Sequence, residues 1–383
     1  MDFTFTDEQL AVRQAAEGVF AGLVSPERVT EVEEGDDRVD RELWAALAAA
    51  DLLGLAVPGP QGGAGLGLTE LCLLLEAQGA VVAPVPLWST LVLGALAVGR
   101  FGSPDQRDRF LPGVAAGEVF LTAALSGSAE STSGRPPVRA EAAGGGWRLS
   151  GTELAVPQAH LAARVLVPAH TPDGAVVVAL VDPAAAGVRL ERAVTTNREI
   201  HPHLHLQAVA VEADDVLVGP QGGTEALGLV LQWAWTALCS LQVGLSESAL
   251  AQTASYLNQR HQFGRPLSAF QGAMLRAADA AIDIEAMRVT LWQAAWRLDT
   301  GRDAAQAVAI AKWQAAERGQ RVVHATQHLH GGMGADVSYP IHRYFLWGKQ
   351  IELELGGPSR QLARLGRLLA AAAGGPAGVG VGR

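Results

Sequence analysis

A single short break interrupts a long helical region in the last third of the chain. The break is Phe263-Gly264-Arg265-Pro266, inside the segment Tyr256 to Gln271. Gly and Pro this close together end a helix, because proline lacks a backbone N–H and glycine favours turns. The sequence therefore predicts a helix, a tight kink and a second helix, with Arg260 and Gln262 at the kink. An arginine at such a bend can bind phosphate oxygens, although an ordinary loop with an exposed arginine fits the same spacing.

The periodicity of apolar residues divides the chain into three regions. Residues 1–116 are predicted to be all helical, with helices near 40–50, 69–81, 86–100 and 104–115. Short β-type runs separated by Gly, Pro, Ser and Asp predict a small antiparallel β domain over 117–221. Long helical patterns then resume near 223–257, 268–300, 303–330 and 356–372, which predicts a C-terminal four-helix bundle over 222–373. The Gly/Ala-rich residues 374–383 are predicted to form a flexible tail.

Composition restricts the partners and the compartment. The net charge is −10 and no basic run stands out, which argues against nucleic acid as a partner. Cys72 and Cys239 lie in apolar helical contexts and are expected to be small buried side chains without a disulfide. The acidic N-terminus lacks a signal-peptide core, and we count no apolar run of membrane-spanning length. We therefore expect a cytoplasmic protein that does not enter a membrane.

Two histidine groups raise the question of a metal site. His201, His203 and His205 alternate, so they are predicted to share one face of a strand, and His324 and His328 are four residues apart on a predicted helix. No carboxylate or cysteine follows at a matching metal-ligand spacing, so the sequence predicts no metal.

The segment around the break resembles a signature of the acyl-CoA dehydrogenase family. The pattern Y-x-x-x-R-x-Q-F-G-x-P-x-x-x-F-Q is matched at Tyr256, Arg260, Gln262, Phe263, Gly264, Pro266, Phe270 and Gln271. In that family the arginine and its neighbours hold the pyrophosphate of an FAD that is bound mainly by the adjacent subunit. The resemblance thus implies FAD contacts by Arg260, Gln262, Phe263 and Gln271. The family's domain order, helical domain, β domain and helical bundle, also agrees with the predicted order here.

A second motif strengthens the resemblance. The string Gln327-His328-Leu329-His330-Gly331-Gly332-Met333-Gly334 follows a predicted helix and resembles the family's Q-x-x-G-G-x-G turn. Residues of that turn contact the adenine half of FAD across the dimer interface. The resemblance implies further cofactor contacts at four positions, Gln327, Gly331, Gly332 and Gly334.

The family's catalytic base has no clear counterpart. In the family reaction a glutamate removes the α proton of an acyl thioester while a hydride leaves the β carbon for the flavin. Counting from Tyr339-Pro340, the usual position of that glutamate is occupied by Leu355, and Glu354 lies one residue earlier. One residue rotates a helical side chain by about 100°, so Glu354 is out of register. The alternative family position falls in Trp233-Ala234-Trp235-Thr236, which has no carboxylate.

The segments that would hold this chain's own flavin also depart from the family. Residues 121–128 replace the family's T-E-P-x-A-G-S-D, and Ala155-Val156-Pro157 stands where the family has W-I-T against the flavin. An alanine cannot stack on a ring, and a proline offers no N–H donor. The residues that a subunit uses on its own flavin are therefore missing, whereas those that it lends to a neighbour are present.

This contrast leads to one leading interpretation and two alternatives. The chain is interpreted as a subunit of a heterotetrameric FAD-dependent acyl-CoA dehydrogenase, similar to actinobacterial dehydrogenases of steroid side-chain CoA esters. It would pair with a paralogous subunit as α2β2, act on an acyl-CoA and pass electrons to an electron-transfer flavoprotein. The first alternative is a complete homotetrameric dehydrogenase with Glu354 as base. The second is a flavin-dependent monooxygenase on the same fold.

Overall fold

The computed structural model describes residues 4–131 and 134–374. Along these residues a group of helices is followed by a β-sheet and then by a second group of long helices, which is the predicted order of elements. The predicted tail lies outside the described residues from position 375 onward.

The N-terminal helices begin at local capping signals. Thr6 and Gln9 cap α1 reciprocally, because each side chain bonds the other residue's backbone N–H. Ser103 and Gln106 form the same capping box at α6. The helices are α1 (Asp7–Leu23), α2 (Pro26–Glu34), α3 (Arg41–Ala49), α4 (Leu68–Val81), α5 (Leu96–Phe101) and α6 (Pro104–Ala115). The helix predicted near 86–100 differs in detail, since residues Trp88–Ala95 form a π-helix that runs into α5. The sequence pattern missed α2.

The central sheet contains eight described strands. They are β1 (Leu121–Ala123), β2 (Val138–Ala143), β3 (Gly146–Glu153), β4 (Arg164–His170), β5 (Val176–Val181), β6 (Val188–Glu191), β7 (His203–Val211) and β8 (Val216–Val218), with the short helix α7 (Ser126–Glu130) after β1. Their order is β6-β7-β3-β2-β4-β5-β8, and β1 joins at β4. The prediction of an antiparallel domain is wrong for two pairings, because β4 pairs in parallel with β1 and with β2.

The sheet separates two hydrophobic cores. On β5, Val176, Val178 and Leu180 point into the large core that the helices share, whereas Ala179 and Val181 point into a smaller core. Residues of β2, β3, β4 and β7 complete that smaller core. This alternation explains why β5 reads as a continuous apolar run, since both of its faces are buried.

The C-terminal region contains α8 (Gly223–Gln259), α9 (Gln271–Asp299), α10 (Ala305–Leu329), α11 (Ile341–Leu353) and α12 (Pro358–Ala372). The predicted bundle did not include α11. Two glycines let α8 cross α4 closely: a Cβ on Gly244 would lie 1.8 Å from the Glu76 carbonyl oxygen, and one on Gly79 would lie 2.2 Å from that of Leu241. This close contact fixes the N-terminal helices against the C-terminal ones.

Helix α8 corrects the expectation that no apolar run reaches membrane-spanning length. Among the described residues, α8 is the one helix that is long and apolar enough to cross a membrane. However, 83% of its most apolar 18-residue window is buried inside the chain. This is the behaviour of a core helix.

Candidate functional site

The predicted kink between α8 and α9 is a small β-hairpin. His261–Gln262 (β9) pairs antiparallel with Arg265–Pro266 (β10), and the Leu267 N–H donates to the Arg260 carbonyl oxygen at 2.8 Å. Phe263 and Gly264 form the turn with φ of 54° and 77°. Two adjacent left-handed residues suit a tight hairpin turn, in which glycine carries little strain. The Gly-Arg-Pro sequence thus ends the helix as predicted, but it does so by building a hairpin.

The hairpin presents its signature side chains to solvent. Arg260, Gln262, Phe263 and Gln271 are all exposed, and the Phe263 side chain is 92% exposed. A phenylalanine is normally buried in a folded chain. An exposed aromatic at a hairpin tip, beside an arginine, suits a surface that another molecule covers.

An aromatic cluster holds the glycine-rich turn beside the hairpin. The Tyr256 ring stacks on the His330 ring with centroids 4.5 Å apart, and Tyr339 packs against both. Tyr256 is in the last turn of α8 and His330 directly follows α10. The two helix ends that carry the family motifs are therefore brought together.

The members of the glycine-rich turn do not all face outward. Gly331, with φ of 60°, and Gly332 are exposed, whereas Gly334 is buried. A Cβ on Gly334 would lie 2.3 Å from the Gln327 carbonyl oxygen, so only glycine fits there. The Gln327 side chain is half-buried and donates to the Gly334 carbonyl oxygen at 3.0 Å. A role for Gly331 and Gly332 at a ligand stays a prediction that their exposure favours.

The predicted cofactor contact by Gln327 is not supported by its orientation. Its amide nitrogen is engaged within its own turn. In the family pattern the glutamine stands three residues before the first glycine, and that position here is His328. His328 is exposed. His328 therefore presents a polar side chain outward at the family's glutamine position, where the sequence prediction named Gln327.

Leu355 occupies the turn between α11 and α12. Its φ is 55°, and its side chain is buried. Its carbonyl oxygen accepts a hydrogen bond of 2.9 Å from Trp235 Nε1, so this tryptophan supports the turn. Arg364 of α12 lies over the Trp235 ring, 4.4 Å from its centroid. These contacts hold the turn in place, but the Leu355 side chain cannot accept a proton.

Glu354 points into a buried polar cluster. Its Oε2 accepts from Gln350 Nε2 at 2.5 Å and lies 4.0 Å from His201 Nδ1. Burial raises the pKa of Glu354, and the nearby His201 opposes this rise only in part. Burial lowers the pKa of His201, but the bond to Glu199 and the charge of Glu354 outweigh it, so the net shift is upward. The adjoining cavity has a volume of about 30 Å³, enough for a water molecule but not for an acyl chain.

A buried lysine, which the sequence pattern did not single out, lies close to this cluster. Lys312 is completely buried, and its Nζ donates to the carbonyl oxygens of Ile351 at 2.6 Å and Glu352 at 3.4 Å. These are carbonyls of the last turn of α11, where a cation is favoured by the helix dipole. Burial nevertheless lowers the pKa of Lys312 to about 8. The position of Lys312 on the apolar face of α10 is the sequence signal that could have identified it as a buried lysine.

The turn that replaces the family's W-I-T uses all of its backbone donors internally. The Ala155 N–H donates to His203 Nδ1 at 3.0 Å, and the Val156 N–H donates to the Pro202 carbonyl oxygen at 2.8 Å. Pro157 has no N–H, and the Gln158 N–H donates to the Ile200 carbonyl oxygen at 3.1 Å. No donor of this turn is left for a ligand.

The second segment of the expected cradle is also engaged. The Gly127 N–H donates to Glu153 Oε2 at 3.0 Å, and Glu153 is 1% exposed. Among the described residues, Glu153 Oε1 has no hydrogen-bond partner. Burial raises the pKa of Glu153 to about 8. The neighbouring pocket has a volume of about 320 Å³ and is lined in part by Glu130, Glu153 and Glu354.

The histidine trio does not form a metal site. His201 precedes β7 and bonds Glu199, His203 accepts from the Ala155 N–H, and His205 lies between Thr152 and Glu191. Each ring therefore has its own local partners. Within the described part of the chain, no cluster of three or more His, Cys, Asp or Glu could hold a metal ion. Cys72 and Cys239 are free and buried, as predicted.

Comparison with known proteins places these features in a family. Residues 6–118 match the acyl-CoA dehydrogenase N-terminal domain, and residues 221–367 match the acyl-CoA dehydrogenase C-terminal domain. The chain belongs to the acyl-CoA dehydrogenase family. Acyl-CoA dehydrogenases depend on FAD and are oxidoreductases that act on CH–CH bonds.

Relatives resemble the chain over nearly its whole length. Acyl-CoA dehydrogenase FadE27 of Mycobacterium tuberculosis is 38% identical over 380 residues, covering 97% of this chain and 99% of that protein. The solved structure named Tcur3481-Tcur3483 steroid ACAD G363A variant is 48% identical with a TM-score of 0.90, covering 96% of this chain and 99% of the other. The ChsE4-ChsE5 complex of Mycobacterium tuberculosis is 38% identical with a TM-score of 0.90, and the coverages are 97% and 99%.

Family members hold FAD with two regions, and in this chain the two regions differ in how well they suit the cofactor. The exposed hairpin with Arg260 and the adjacent glycine turn offer a cation and open backbone, which suit a phosphate-bearing cofactor. The chain's own cradle does not fit, because its backbone donors are occupied and a carboxyl group lies at the Gly127 N–H. The described residues thus have the acyl-CoA dehydrogenase fold, and FAD contacts through Arg260 and the glycine turn stay a prediction.

Proposed function

We propose that this chain is the non-catalytic subunit of a heteromeric, FAD-dependent acyl-CoA dehydrogenase. It would lack its own base and lend FAD contacts to a paralogous subunit that carries the working site. The observation that carries the proposal is the contrast between Leu355 and Arg260. Leu355 fills the position of the family's glutamate, whereas Arg260 and its hairpin stand exposed at the edge of the molecule.

The orientation of Glu354 supports the absence of a base. Its Oε2 is bonded to Gln350 and lies 4.0 Å from His201, and Glu354 lines both the cavity of about 30 Å³ and the larger pocket beside Glu153. A general base must come within hydrogen-bond reach of the proton that it removes. A substrate carbon at Oε2 would have to displace the Gln350 amide, so this oxygen is not free to accept the α proton.

The exposed hairpin supports a partner subunit. Phe263 is 92% exposed, and Met333 and Val337 near the glycine turn are 41% and 67% exposed. Together with Arg260 they combine apolar anchors with a cation, the composition expected at the centre of a protein interface. A paralogous subunit with bound FAD would cover the apolar side chains and pair the arginine with phosphate.

The relatives suggest the assembly and the substrate class. The similar solved structures are a Tcur3481-Tcur3483 steroid ACAD and a ChsE4-ChsE5 complex, each named for two components. By this likeness we propose an α2β2 assembly with a paralogous subunit and a steroid-type acyl-CoA as substrate. An electron-transfer flavoprotein as acceptor and a cytoplasmic location complete the proposal.

The experiment that tests this function is co-expression with a paralogous subunit that has an intact glutamate. We expect about one FAD per pair of chains in the complex and little FAD in this chain alone. Flavin absorbance per mole of each subunit gives the ratio. A yellow homo-oligomer of this chain with one FAD per chain would contradict the proposal.

Substitution of Arg260 tests the lent contact directly. Arg260→Ala should weaken FAD binding by the complex about 10- to 100-fold, because a charge-assisted bond to phosphate is lost. Arg139→Ala, at an exposed arginine on strand β2, is the matched control and should leave FAD affinity unchanged. Equal FAD affinity in wild type and Arg260→Ala would show that Arg260 faces solvent in the complex.

A further inference from the structure

We propose that this chain's own flavin cradle is closed from within, with His203 and Glu153 taking the places of cofactor atoms at its backbone donors. The inference rests on the proposed function, because a subunit that lends contacts to a partner needs no flavin of its own. It goes further by naming the side chains that keep the second site empty. The missing family motifs do not tell what occupies the flavin cradle. The structure shows that His203 and Glu153 accept hydrogen bonds from its backbone N–H groups.

The first internal substitute is an imidazole. Ala155 has φ of 49°, a left-handed conformation that orients its N–H toward strand β7. There His203 Nδ1 accepts the bond at 3.0 Å. Nδ1 must therefore be unprotonated, and the imidazole acts as the acceptor that a ring nitrogen or oxygen of a cofactor would otherwise supply. The bond joins residues 48 positions apart, so it also ties β7 to the end of β3.

The second internal substitute is a carboxyl group. Glu153 Oε2 accepts the Gly127 N–H at 3.0 Å, and the carboxyl group is enclosed by the fold. Burial of this group carries an energetic cost, since Oε1 has no partner among the described residues. A side chain retained at such a cost is expected to have a function. Here it fills the space at the Gly127 N–H and keeps another acceptor out.

The lining of the adjoining pocket acts in the same direction. Glu130, Glu153 and Glu354 line it, together with the apolar side chains of Leu154 and Leu355. The described lining residues include no cation that could pair with the negatively charged pyrophosphate of FAD. To enter, the cofactor would have to break the bonds to His203 and Glu153, and the turn at Pro157 would still offer it no donor.

Hydrogen exchange of the complex with its paralogous subunit, with and without FAD, tests the inference. We expect added FAD to protect amides in 260–271 and 331–334 and to leave those in 126–128 and 153–158 unchanged. FAD-dependent protection in 153–158 would overturn the closed cradle. If 260–271 gained no protection while 153–158 stayed unchanged, the proposed function would fail and the closed cradle would still be supported.

Two pairs of variants examine the substitutes individually. His203→Ala should increase the exchange rate of the Ala155 amide by roughly 2- to 10-fold, because that amide loses its acceptor. His205→Ala, two residues along the same strand, should not alter it, since His205 bonds Thr152 and Glu191 instead. Glu153→Ala should speed exchange at Gly127 to a similar extent, whereas Glu153→Gln retains an acceptor oxygen and should not. Unchanged exchange at both amides in the two alanine variants would overturn the inference.

Discussion

The buried carboxyl group of Glu153 predicts an unusual dependence of stability on pH. Burial raises its pKa in the folded protein to about 8, against an ordinary value of 4.5. Between these two pH values the folded chain holds a proton that the unfolded chain has released. Stability is therefore fully present below pH 4.5 and falls as the pH rises toward 8.

The size of the effect follows from the two pKa values. The difference of about 3.5 units corresponds to about 5 kcal/mol at 1.36 kcal/mol per unit, and about 3 kcal/mol of it should be lost by pH 7. Glu153→Gln preserves the shape and the bond to the Gly127 N–H but cannot ionise. The free energy of unfolding of the wild type, minus that of Glu153→Gln, should therefore fall by about 3 kcal/mol between pH 4.5 and pH 7.

Urea titrations of both proteins at a series of pH values measure this difference directly. Glu130→Gln is the matched control, because Glu130 lines the same pocket but is exposed. The difference between wild type and Glu130→Gln should change little over the same range. A flat difference for Glu153→Gln would refute the reasoning, since it would mean that Glu153 is ionised and solvated in an open cradle.

Three further predictions concern the base, the buried lysine and the hairpin. Glu354→Gln should leave turnover by the complex nearly unchanged, whereas loss of a true base would lower the rate by about 10²–10⁴ and would show that this chain is catalytic. The pKa of Lys312 is lowered from 10.5 to about 8, so the stability of wild type relative to Lys312→Met should rise by about 3 kcal/mol between pH 8 and 10.5. Lys349→Met, at the only other lysine, should show no such rise in urea titrations. Phe263→Ser should leave the stability of the isolated chain within about 0.5 kcal/mol but weaken association with the paralogous subunit, as measured by calorimetry.

Many helices and strands could be predicted because local signals define them. Thr6 with Gln9, and Ser103 with Pro104, mark helix starts, and the Gly-Arg-Pro sequence after Phe263 marks the end of α8. Each of these signals acts within a few residues, through capping bonds or backbone restrictions. The helices that were missed, α2 and α11, have short or mixed apolar patterns. Helix α11 is stabilised by packing against α8 and α10, and α2 is held by bonds from Arg343 to Glu33 and Thr30.

The positions of the candidate-site residues could likewise be predicted from the sequence only where their signal is local. The exposed residues Arg260, Gln262 and Phe263 were found because their motif is contiguous and lies on one hairpin. The inward orientation of Gln327 was not found, because it depends on a turn in which Gly334 packs against the preceding helix end. The spacing to Gly331 in the sequence already places His328, not Gln327, three residues before the first glycine.

The sequence by itself determined the family signature, the order of helices and strands, and the absence of a carboxylate at Leu355. Only the tertiary structure decided what occupies the empty cradle. The Ala155 N–H meets His203 across 48 residues, and the Gly127 N–H meets Glu153 across 26. Neither pair has a local pattern, because each depends on how the strands of the sheet and the short helix α7 come together. A sequence can therefore reveal that a site has lost its motifs, but the fold shows which side chains have taken their place.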